Sequence, residues 1–240
     1  AAMAAADPDG YTIGVTSSTP LLLKPHMSKT PYSIESFDYI CRLFYNPMMF
    51  EVKKDSPLNS PKDLAKYAKT NTLRYGSSGV GSVQHLAMVQ FSELADVKST
   101  HVANSSDADN LRNILAGVIT GTLTAPSVIQ ANADTVKAIG VMSDERLASF
   151  PNVPTFKEQG YPVDAALFGV LVGPKGLPAP VLAKLRSSCA EAQKSDDFKK
   201  KMAKLGIAPA YQDGKTFEAW LQKQNKEAAK SLQKLGLGKK

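Results

Sequence analysis

The sequence predicts an α/β protein built on parallel β-sheet. Between residues 60 and 142, short strands alternate with helical stretches at the spacing of βαβ units. The chain has 240 residues, of which 43% are hydrophobic, enough to bury the core of one or two domains. No apolar run approaches the roughly 20 residues of a membrane span, so the composition is that of a globular protein.

The first quarter of the chain contains a strand followed by a polar loop. Residues 11–15 predict a strand that runs into a hydroxyl-rich loop at 16–20. Open α/β sheets bind ligands at loops beyond the carboxyl ends of strands, although a simple capping loop explains the pattern equally well. After an apolar set at 37–44, Ser60 and Pro61 predict a helix over 62–69, because serine is a favoured N-cap and proline a favoured first helical residue.

The stretch at 73–88, LRYGSSGVGSVQHLAM, predicts a strand, a small-residue loop and the start of a helix in that order. Glycine tolerates positive φ and lets a ligand approach the backbone closely. The first amides of a helix have no intrahelical acceptor, and the helix dipole favours negative charge at that end. We therefore expect a cradle for a carboxylate or another small anion, formed by Ser77, Ser78, Gly79, Gly81 and Ser82.

The same loop lacks the sharper motifs of nucleotide and hydrolase sites. A dinucleotide-binding GxGxxG would need glycine in place of Gln84, and a GxSxG nucleophile elbow would need glycine in place of Val80. No Gly-Lys-Ser/Thr follows, so the loop is not a P-loop. Two interpretations remain open, namely an anion site and an ordinary glycine-serine turn between strand and helix.

Three further strands are predicted at 98–103, 118–123 and 136–142, with helices between them at 108–117 and 127–133. Small polar residues follow the first two of these strands, at 104–107 and 124–127. Since parallel strands end at the same edge of a sheet, these loops and the loop at 77–82 should lie side by side. The pattern predicts a pocket at that edge.

The last third of the chain is helical and basic. A strongly apolar strand is predicted at 165–173, followed by helices at 181–194, 196–205 and 216–235. The formal net charge of +7 comes largely from lysines after residue 193, which alternate with helix-forming residues and show no nucleic-acid-reading motif. We expect a solvated helical surface and no nucleic-acid partner. The excess positive charge weakly favours acidic solutes or an anionic membrane surface.

The cysteines and histidines carry no metal-binding pattern. Cys41 and Cys189 lack any CxxC or Cys/His spacing, which leaves buried thiols and a disulfide as alternatives. His26, His85 and His101 are isolated from one another in sequence. The sequence therefore predicts no metal site and no cofactor.

Four ordered motifs of the chain are PDGYTIGVTSS, LRYGSSGVGSVQHLA, RLASFPNVPTFKEQGYP and FGVLVGPKGLP. Together they resemble the Bug (TctC-like) periplasmic solute-binding proteins of tripartite tricarboxylate transporters, over nearly the whole chain. The resemblance implies a two-lobed type II periplasmic-binding-protein fold, with lobe 1 at 1–51 plus 174–240 and lobe 2 at 52–173. It also implies that the first strand and helix of lobe 1 precede residue 1, so that lobe 1 is N-terminally incomplete.

The resemblance implies a function as well. Proteins of this family close by a hinge around a small organic carboxylate and hand it to a membrane transporter or to a sensor. We therefore expect a monomeric periplasmic solute-binding protein, not an enzyme, that delivers its carboxylate to a transporter of the tripartite tricarboxylate type. The first ten residues, AAMAAADPDG, do not form a signal peptide, so a signal peptide is expected upstream of them.

Matching the family motif by motif places ligand-binding residues in the predicted loops. They are Thr16, Ser17 and Ser18 in lobe 1, and in lobe 2 the carboxylate donors Ser77, Ser78, Gly79, Gly81 and Ser82, with Asn104, Ser105, Thr124 and Ala125 lining the cleft. Phe168 would pack on the carbon skeleton of the solute, although a core position fits this residue nearly as well. The family often has an acid where this chain has Thr124, and an acid suits an amino group, so we expect a ligand without a primary ammonium. A family histidine corresponds to His85, for which we expect a structural role.

Two alternatives come from other functional classes. A serine of the 77–82 loop with His85 would make a hydrolase of small esters, although the sequence shows no orienting acid. The chain could instead be a ligand-sensing component. A DNA-binding regulator would need a helix-turn-helix, and the sequence shows none.

Overall fold

The computed structural model describes residues 1–204 and 207–239. It contains two compact units, the first formed by Ala1–Asn46 with Leu167–Lys240 and the second by Pro47–Ala166. The predicted lobes had their boundaries after residues 51 and 173. Leu205 and Lys240, at which a predicted helix and the predicted lobe 1 end, lie outside the described residues.

The strands in chain order are β1 (Gly14–Ser17), β2 (Phe37–Pro47), β3 (Met49–Lys53), β4 (Leu73–Ser77), β5 (Ser99–Ala103), β6 (Gly121–Thr124), β7 (Val136–Val141), β8 (Ala166–Pro174) and β9 (Pro209–Asp213). The helices are α1 (Lys24–Met27), α2 (Pro61–Thr70), α3 (Val83–Leu94), α4 (Asp107–Leu115), α5 (Pro126–Ala131), α6 (Ala179–Lys194), α7 (Asp196–Lys204) and α8 (Gly214–Lys234). A π-helical turn at Thr19–Leu23 leads into α1. In the described part of the chain, no helix has both the length and the apolar character needed to cross a bilayer.

The first unit is built on a four-stranded sheet in the order β1-β8-β2-β9. β1 runs antiparallel to β8, and β2 runs antiparallel to β9. A disulfide joins Cys41 in β2 to Cys189 in α6, with the two Cα atoms 6.6 Å apart. It resolves the alternative that the sequence left open, and it links the two chain segments that make up this unit.

Glycine lets helix α8 start directly against strand β2. A Cβ on Gly214 would lie 1.8 Å from the carbonyl oxygen of Tyr39, a distance that no side chain can accept. From this start, α8 places Phe217 and Trp220 edge to face with Phe168 of β8, with ring centroids 5.3 and 5.5 Å away. These rings form the aromatic core of the first unit.

The second unit is built on a five-stranded sheet in the order β5-β4-β6-β3-β7. β4 is parallel to both β5 and β6, which confirms the parallel arrangement predicted from alternating strands and helices. β3 departs from it, because it lies antiparallel to both of its neighbours, β6 and β7. Helices α3, α4 and α5 make the connections between successive strands from β4 to β7.

Serine side chains cap three helices of the second unit, α2, α3 and α4. The Oγ of Ser60 accepts a hydrogen bond from the amide of Asp63 at 3.1 Å, and Pro61 is the first helical residue, as the sequence predicted. Ser82 caps α3 and Ser106 caps α4 in the same way. These caps fix where the loops after β4 and β5 end.

Two features of the fold differ from the sequence prediction. The helical segment from Thr19 to Met27 was not predicted, because Pro20 and Pro25 break its pattern, although each sits in a first turn, where proline is tolerated. Edge strand β9 was missed as well, since it begins with proline and lacks apolar alternation.

Candidate functional site

The carboxyl ends of β5, β4 and β6 lie next to one another at one edge of the second unit's sheet. Ser77 pairs with Ala103, and Gly76 pairs with Thr122, so the loops after the three strands leave the sheet side by side. The backbone amide of Asn104 donates to the carbonyl of Ser77 at 2.9 Å and ties two of these loops together. We call this the loop edge; it brings together the lobe 2 residues that the sequence singled out.

The glycine loop has the backbone conformation that the sequence predicted. Gly79 has φ of 128° and Gly81 has φ of 74°, both in the region that favours glycine. A Cβ built on Gly79 would meet nothing within 4 Å. The loop therefore presents bare backbone with open space beside it.

The two glycine amides are already hydrogen-bonded within the loop. The amide of Gly79 donates to the Oγ of Ser77, and the amide of Gly81 donates to Nδ1 of His85, both at 3.0 Å. The first two amides of α3, those of Val83 and Gln84, have no acceptor among the described residues. The N–H groups free to meet an anion are therefore those of the first turn of α3, and not those of Gly79 and Gly81.

The predicted serines of this loop hold it in shape. Ser77 is fully buried, and its hydroxyl also donates to the carbonyl of Gly79 at 3.0 Å. Ser78 is exposed and donates to Oε1 of Gln84 at 3.1 Å. The Oγ of Ser82 accepts from the amide of His85 at 3.3 Å, so its own proton is free to be donated.

Two histidines that are 16 positions apart in sequence stack beneath the glycine loop. The rings of His85 and His101 are parallel with centroids 4.0 Å apart, and Nε2 of His101 lies 2.6 Å from the Oγ of Ser77. Burial, followed by the neighbouring His101, lowers the pKa of His85 to about 4, and burial lowers the pKa of His101. The ring of His85 is therefore neutral at pH 7, and its Nδ1 braces the loop by accepting the amide of Gly81. Burial favours the neutral form of His101 as well.

This geometry does not favour a serine hydrolase. The serine that contacts an imidazole is Ser77, which is buried and bonded to His101 rather than to His85. In the described parts of the chain, no carboxylate is hydrogen-bonded to either ring. The orienting acid of a catalytic triad therefore has no counterpart here.

The loop after β5 is held by its own side chains. The side-chain Nδ2 of Asn104 donates to Oδ1 of Asn110 at 2.7 Å, and its Oδ1 accepts from Nδ2 of Asn113 at 2.8 Å. Ser105 donates to Asp109. An open depression of about 500 Å³ lies beside this loop. It is lined by Ala103, Asn104, Ser105, Asp109, Arg112 and Asn113.

Thr124, at the end of β6, has an unsatisfied buried hydroxyl. The residue is 1% exposed, and its Oγ1 has no hydrogen-bond partner among the described residues. The neighbouring Ala125 is half-buried and precedes helix α5. Because a buried polar atom without a partner costs about 1–3 kcal/mol, the Thr124 hydroxyl is a place where a bound polar group would stabilise the protein.

The predicted site residues of the first unit fall into two groups. Thr16 is half-buried and Ser17 exposed at the end of β1, whereas Ser18 is 2% exposed with an Oγ that lacks a described partner. Phe168 is 1% exposed, within the aromatic core described above. Its surroundings are those of a core residue.

Sequence reasoning missed two buried polar residues of the second unit. Glu51 is 1% exposed in β3, and burial, with the nearby Asp107 as a lesser cause, raises its pKa to about 7. Asn110 is fully buried in α4 and lies over Gly76, where an added Cβ would clash with its Oδ1. The signal for Glu51 was a lone acid inside the apolar strand MFEVK.

Two α/β units, each on its own sheet and with polar loops at strand ends, match the fold of solved periplasmic binding proteins. The sequence matches the family TctC, "Tripartite tricarboxylate transporter family receptor", over residues 1–237, and the chain belongs to this family of solute-binding proteins. A UPF0065 protein of Bordetella pertussis is 30% identical over 98% of this chain and 75% of its own length.

Solved structures carry the same fold. A TctC solute-binding protein from Polaromonas, solved with no ligand, has a TM-score of 0.90 and 26% identity, covering 97% of this chain and 81% of that one. An R. palustris protein solved with adipate has a TM-score of 0.78 and 22% identity, covering 99% of this chain and 82% of that one. The resemblance stated from sequence motifs is thereby confirmed, as is the fold class.

Proposed function

We propose that this protein binds a small organic carboxylate at the loop edge of the second unit and delivers it to a transporter of the tripartite tricarboxylate type. The observation that carries the proposal is a set of donors at the loop edge without a partner among the described residues. They are the buried hydroxyl of Thr124 at the end of β6 and the first two amides of α3, those of Val83 and Gln84. Each is a hydrogen-bond donor in need of an acceptor. A carboxylate offers about four acceptor positions and a negative charge that suits a helix N-terminus.

The proposed site has groups that donate to the carboxylate and groups that hold those donors in place. The hydroxyls of Ser82 and Thr124 and the amides of Val83 and Gln84 would donate to the carboxylate. The bare backbone at Gly79 would let it approach. Ser77, Ser78, Gly81, Asn104, Ser105 and Ala125 would shape and brace the site. On the first unit, ligand binding by Thr16, Ser17 and Ser18 remains a prediction, which the buried Ser18 hydroxyl without a described partner supports. Ligand contact by Phe168 also remains a prediction, although this residue lies in the core.

Two further findings support the proposal. The neighbour that holds adipate has this fold, so the fold accommodates a dicarboxylate. The Cys41–Cys189 disulfide suits an oxidising compartment, as the family's periplasmic location implies. We propose that this protein is also periplasmic, and that it binds its ligand as a monomer, without a cofactor and without catalysing a reaction. A sensing rather than a transport role is the second candidate.

A thermal-shift panel tests the proposal. A carboxylate at about 100 times its Kd should add about 2.7 kcal/mol to stability, which for a chain of this size raises Tm by about 5–10 °C. The panel compares adipate, malate, citrate and benzoate with adipamide, the neutral amide of adipate. Because Thr124 offers no negative charge to an ammonium group, succinate should give a larger shift than aspartate.

The matched variants are Thr124→Val, which keeps the shape of the side chain, and Thr120→Val, on the strand-start side of β6. The shift from the best carboxylate should fall in Thr124→Val and persist in Thr120→Val. Equal shifts with adipate and adipamide, or no shift with any acid, would contradict carboxylate binding. A preference for aspartate over succinate would overturn the prediction about the ammonium group alone.

A further inference from the structure

Glu51 is a carboxyl group placed in the sheet directly behind the loop edge. In the antiparallel pair of β3 and β6 its partner is Thr122. Paired residues point to the same face, and so do residues two apart on one strand, so Glu51 and Thr124 are diagonal neighbours on one face of the sheet. Diagonal neighbours are separated by about 7–8 Å. A charge held at Thr124 is therefore close to Glu51.

Three buried polar atoms on this face lack a hydrogen-bond partner within the described part of the chain. They are Oε2 of Glu51, Nδ2 of Asn110 and Oγ1 of Thr124, and each belongs to a side chain that is at most 1% exposed. Asn110 lies over Gly76, and Gly76 pairs with Thr122. Thr122 is the partner of Glu51 on β3 and lies two residues before Thr124 on β6. The face behind the loop edge thus has a polar interior that its own side chains leave unsatisfied.

We propose that Glu51 is a specificity residue that couples carboxylate binding at the loop edge to the uptake of a proton. The protein takes up this proton at Glu51 when it binds a carboxylate, and the carboxylate binds best when Glu51 is neutral. This inference rests on the proposed function. An ionised Glu51 would repel an anionic ligand across a short, poorly hydrated distance, where screening by salt is weak. A neutral Glu51 removes that repulsion and leaves the donors of the loop edge to act unopposed.

The charged groups around Glu51 do not offset this repulsion. β6 contributes no titratable side chain. On α4, Asp107 adds negative charge, while Asp109 and Arg112 pair with each other. On β7, the Nζ of Lys137 donates to the carbonyl of Ser56 at 2.7 Å and to Oδ1 of Asn59 at 2.8 Å.

The remaining charge on β3 itself is also paired, since Lys53 meets Asp55 at 3.2 Å. Burial raises the pKa of Glu51 to about 7, so its proton is exchanged near neutral pH. A bound anion raises that pKa further, which is the origin of the proton uptake.

Calorimetric titration of the protein with adipate at pH 6.5 and 8.5 tests the inference. The carboxylates of adipate are ionised over this range. The ring of His85, whose pKa burial lowers to about 4, stays neutral, and burial favours the neutral form of His101. We expect the affinity to be about tenfold lower at pH 8.5 than at pH 6.5, from charge repulsion at roughly 8 Å. At pH 7.5, buffers with different ionisation enthalpies should reveal proton uptake on binding.

Glu51→Gln is the informative variant, because its amide imitates the neutral carboxyl group. It should bind adipate at pH 8.5 as tightly as the wild type does at pH 6.5, with no proton uptake. Glu145→Gln, an exposed acid of the same unit, is the matched control and should keep the full pH dependence. If Glu51→Gln does not fold, the buffer comparison on the wild type and a carbon-13 titration of the Glu51 carboxyl with and without adipate decide the matter.

The outcomes separate the two proposals. Equal adipate affinity at both pH values, or a pH dependence that survives in Glu51→Gln, overturns the role of Glu51 and leaves carboxylate binding intact. Absence of binding by adipate and by every acid of the panel overturns the proposed function, and this inference with it.

Discussion

Reducing the Cys41–Cys189 disulfide is expected to lower the free energy of unfolding of the first unit by about 2–5 kcal/mol. The bond closes a loop between residues 148 positions apart, and that loop includes the whole second unit. A long closed loop restricts the unfolded chain strongly, so its loss favours unfolding. The two cysteines also sit in a buried cluster with Ile40, which the bond helps to hold.

Trp220 is the single tryptophan of the chain and belongs to the first unit, so its fluorescence reports the unfolding of that unit. Urea titrations should show an earlier transition with reductant than without. The Cys41→Ala/Cys189→Ala double variant should resemble the reduced protein and should not respond to reductant. An unchanged transition under full reduction would mean that the bond contributes nothing to stability.

Replacing Glu51 with glutamine is expected to remove a loss of stability that the wild type suffers as the pH rises. The folded-state pKa of Glu51 is about 7, raised from an ordinary value of 4.5 by burial. Because the folded pKa is the higher one, the unfolded chain releases this proton first. Stability is therefore lost as the pH rises from about 4.5 through 7, and the loss is constant above that range.

The size of this effect follows from the shift in pKa. A difference of roughly two to three pKa units lowers the free energy of unfolding of the wild type by about 3 kcal/mol at pH 8. At pH 4.5 this loss is nearly absent. Glu51→Gln stays neutral at every pH, so relative to the wild type it should gain that amount between pH 4.5 and 8. Urea unfolding followed by circular dichroism at the two pH values measures the difference.

The exposed Glu145 again provides the control, since Glu145→Gln should follow the wild type at both pH values. A constant stability difference between Glu51→Gln and the wild type across this range would show that Glu51 is ionised in the folded protein. That result would contradict the burial argument and the proton coupling together.

The part of the fold that local sequence determines was predictable. Alternating strands and helices predicted β4 to β7 and the side-by-side loops at their ends. Glycine at 79 and 81 predicted positive φ, and serine at 60 predicted a helix cap. In each case the cause lies within a few residues, in backbone freedom or in a capping hydrogen bond.

The features that were not predicted depend on contacts between distant segments. Strand β3 lies between β6 and β7, and this position depends on pairing with strands about 70 or more residues later in the chain, which no local pattern indicates. His85 and His101 looked isolated, yet the parallel pairing of Tyr75 with His101 brings the two rings together. For the same reason, the sequence did not indicate that Glu51 is buried behind Thr124.

The candidate site shows both kinds of outcome. The sequence located the loop edge because glycine, serine and strand ends are local signals. It could not show that the amides of Gly79 and Gly81 are used internally by Ser77 and His85, since both acceptors are placed by folding. The donors that remain available are therefore neighbours of the predicted ones.

The central claim is that the bare amides at the start of α3 and the hydroxyl of Thr124 grip a carboxylate. Its most direct test is a proton–nitrogen correlation spectrum of the labelled protein, recorded during titration with adipate. We expect the amide signals of Val83 and Gln84 to shift downfield and to saturate together, and the Thr124→Val variant to need more adipate for the same change. Adipate binding that leaves these two amides unmoved while other amides shift would contradict the account.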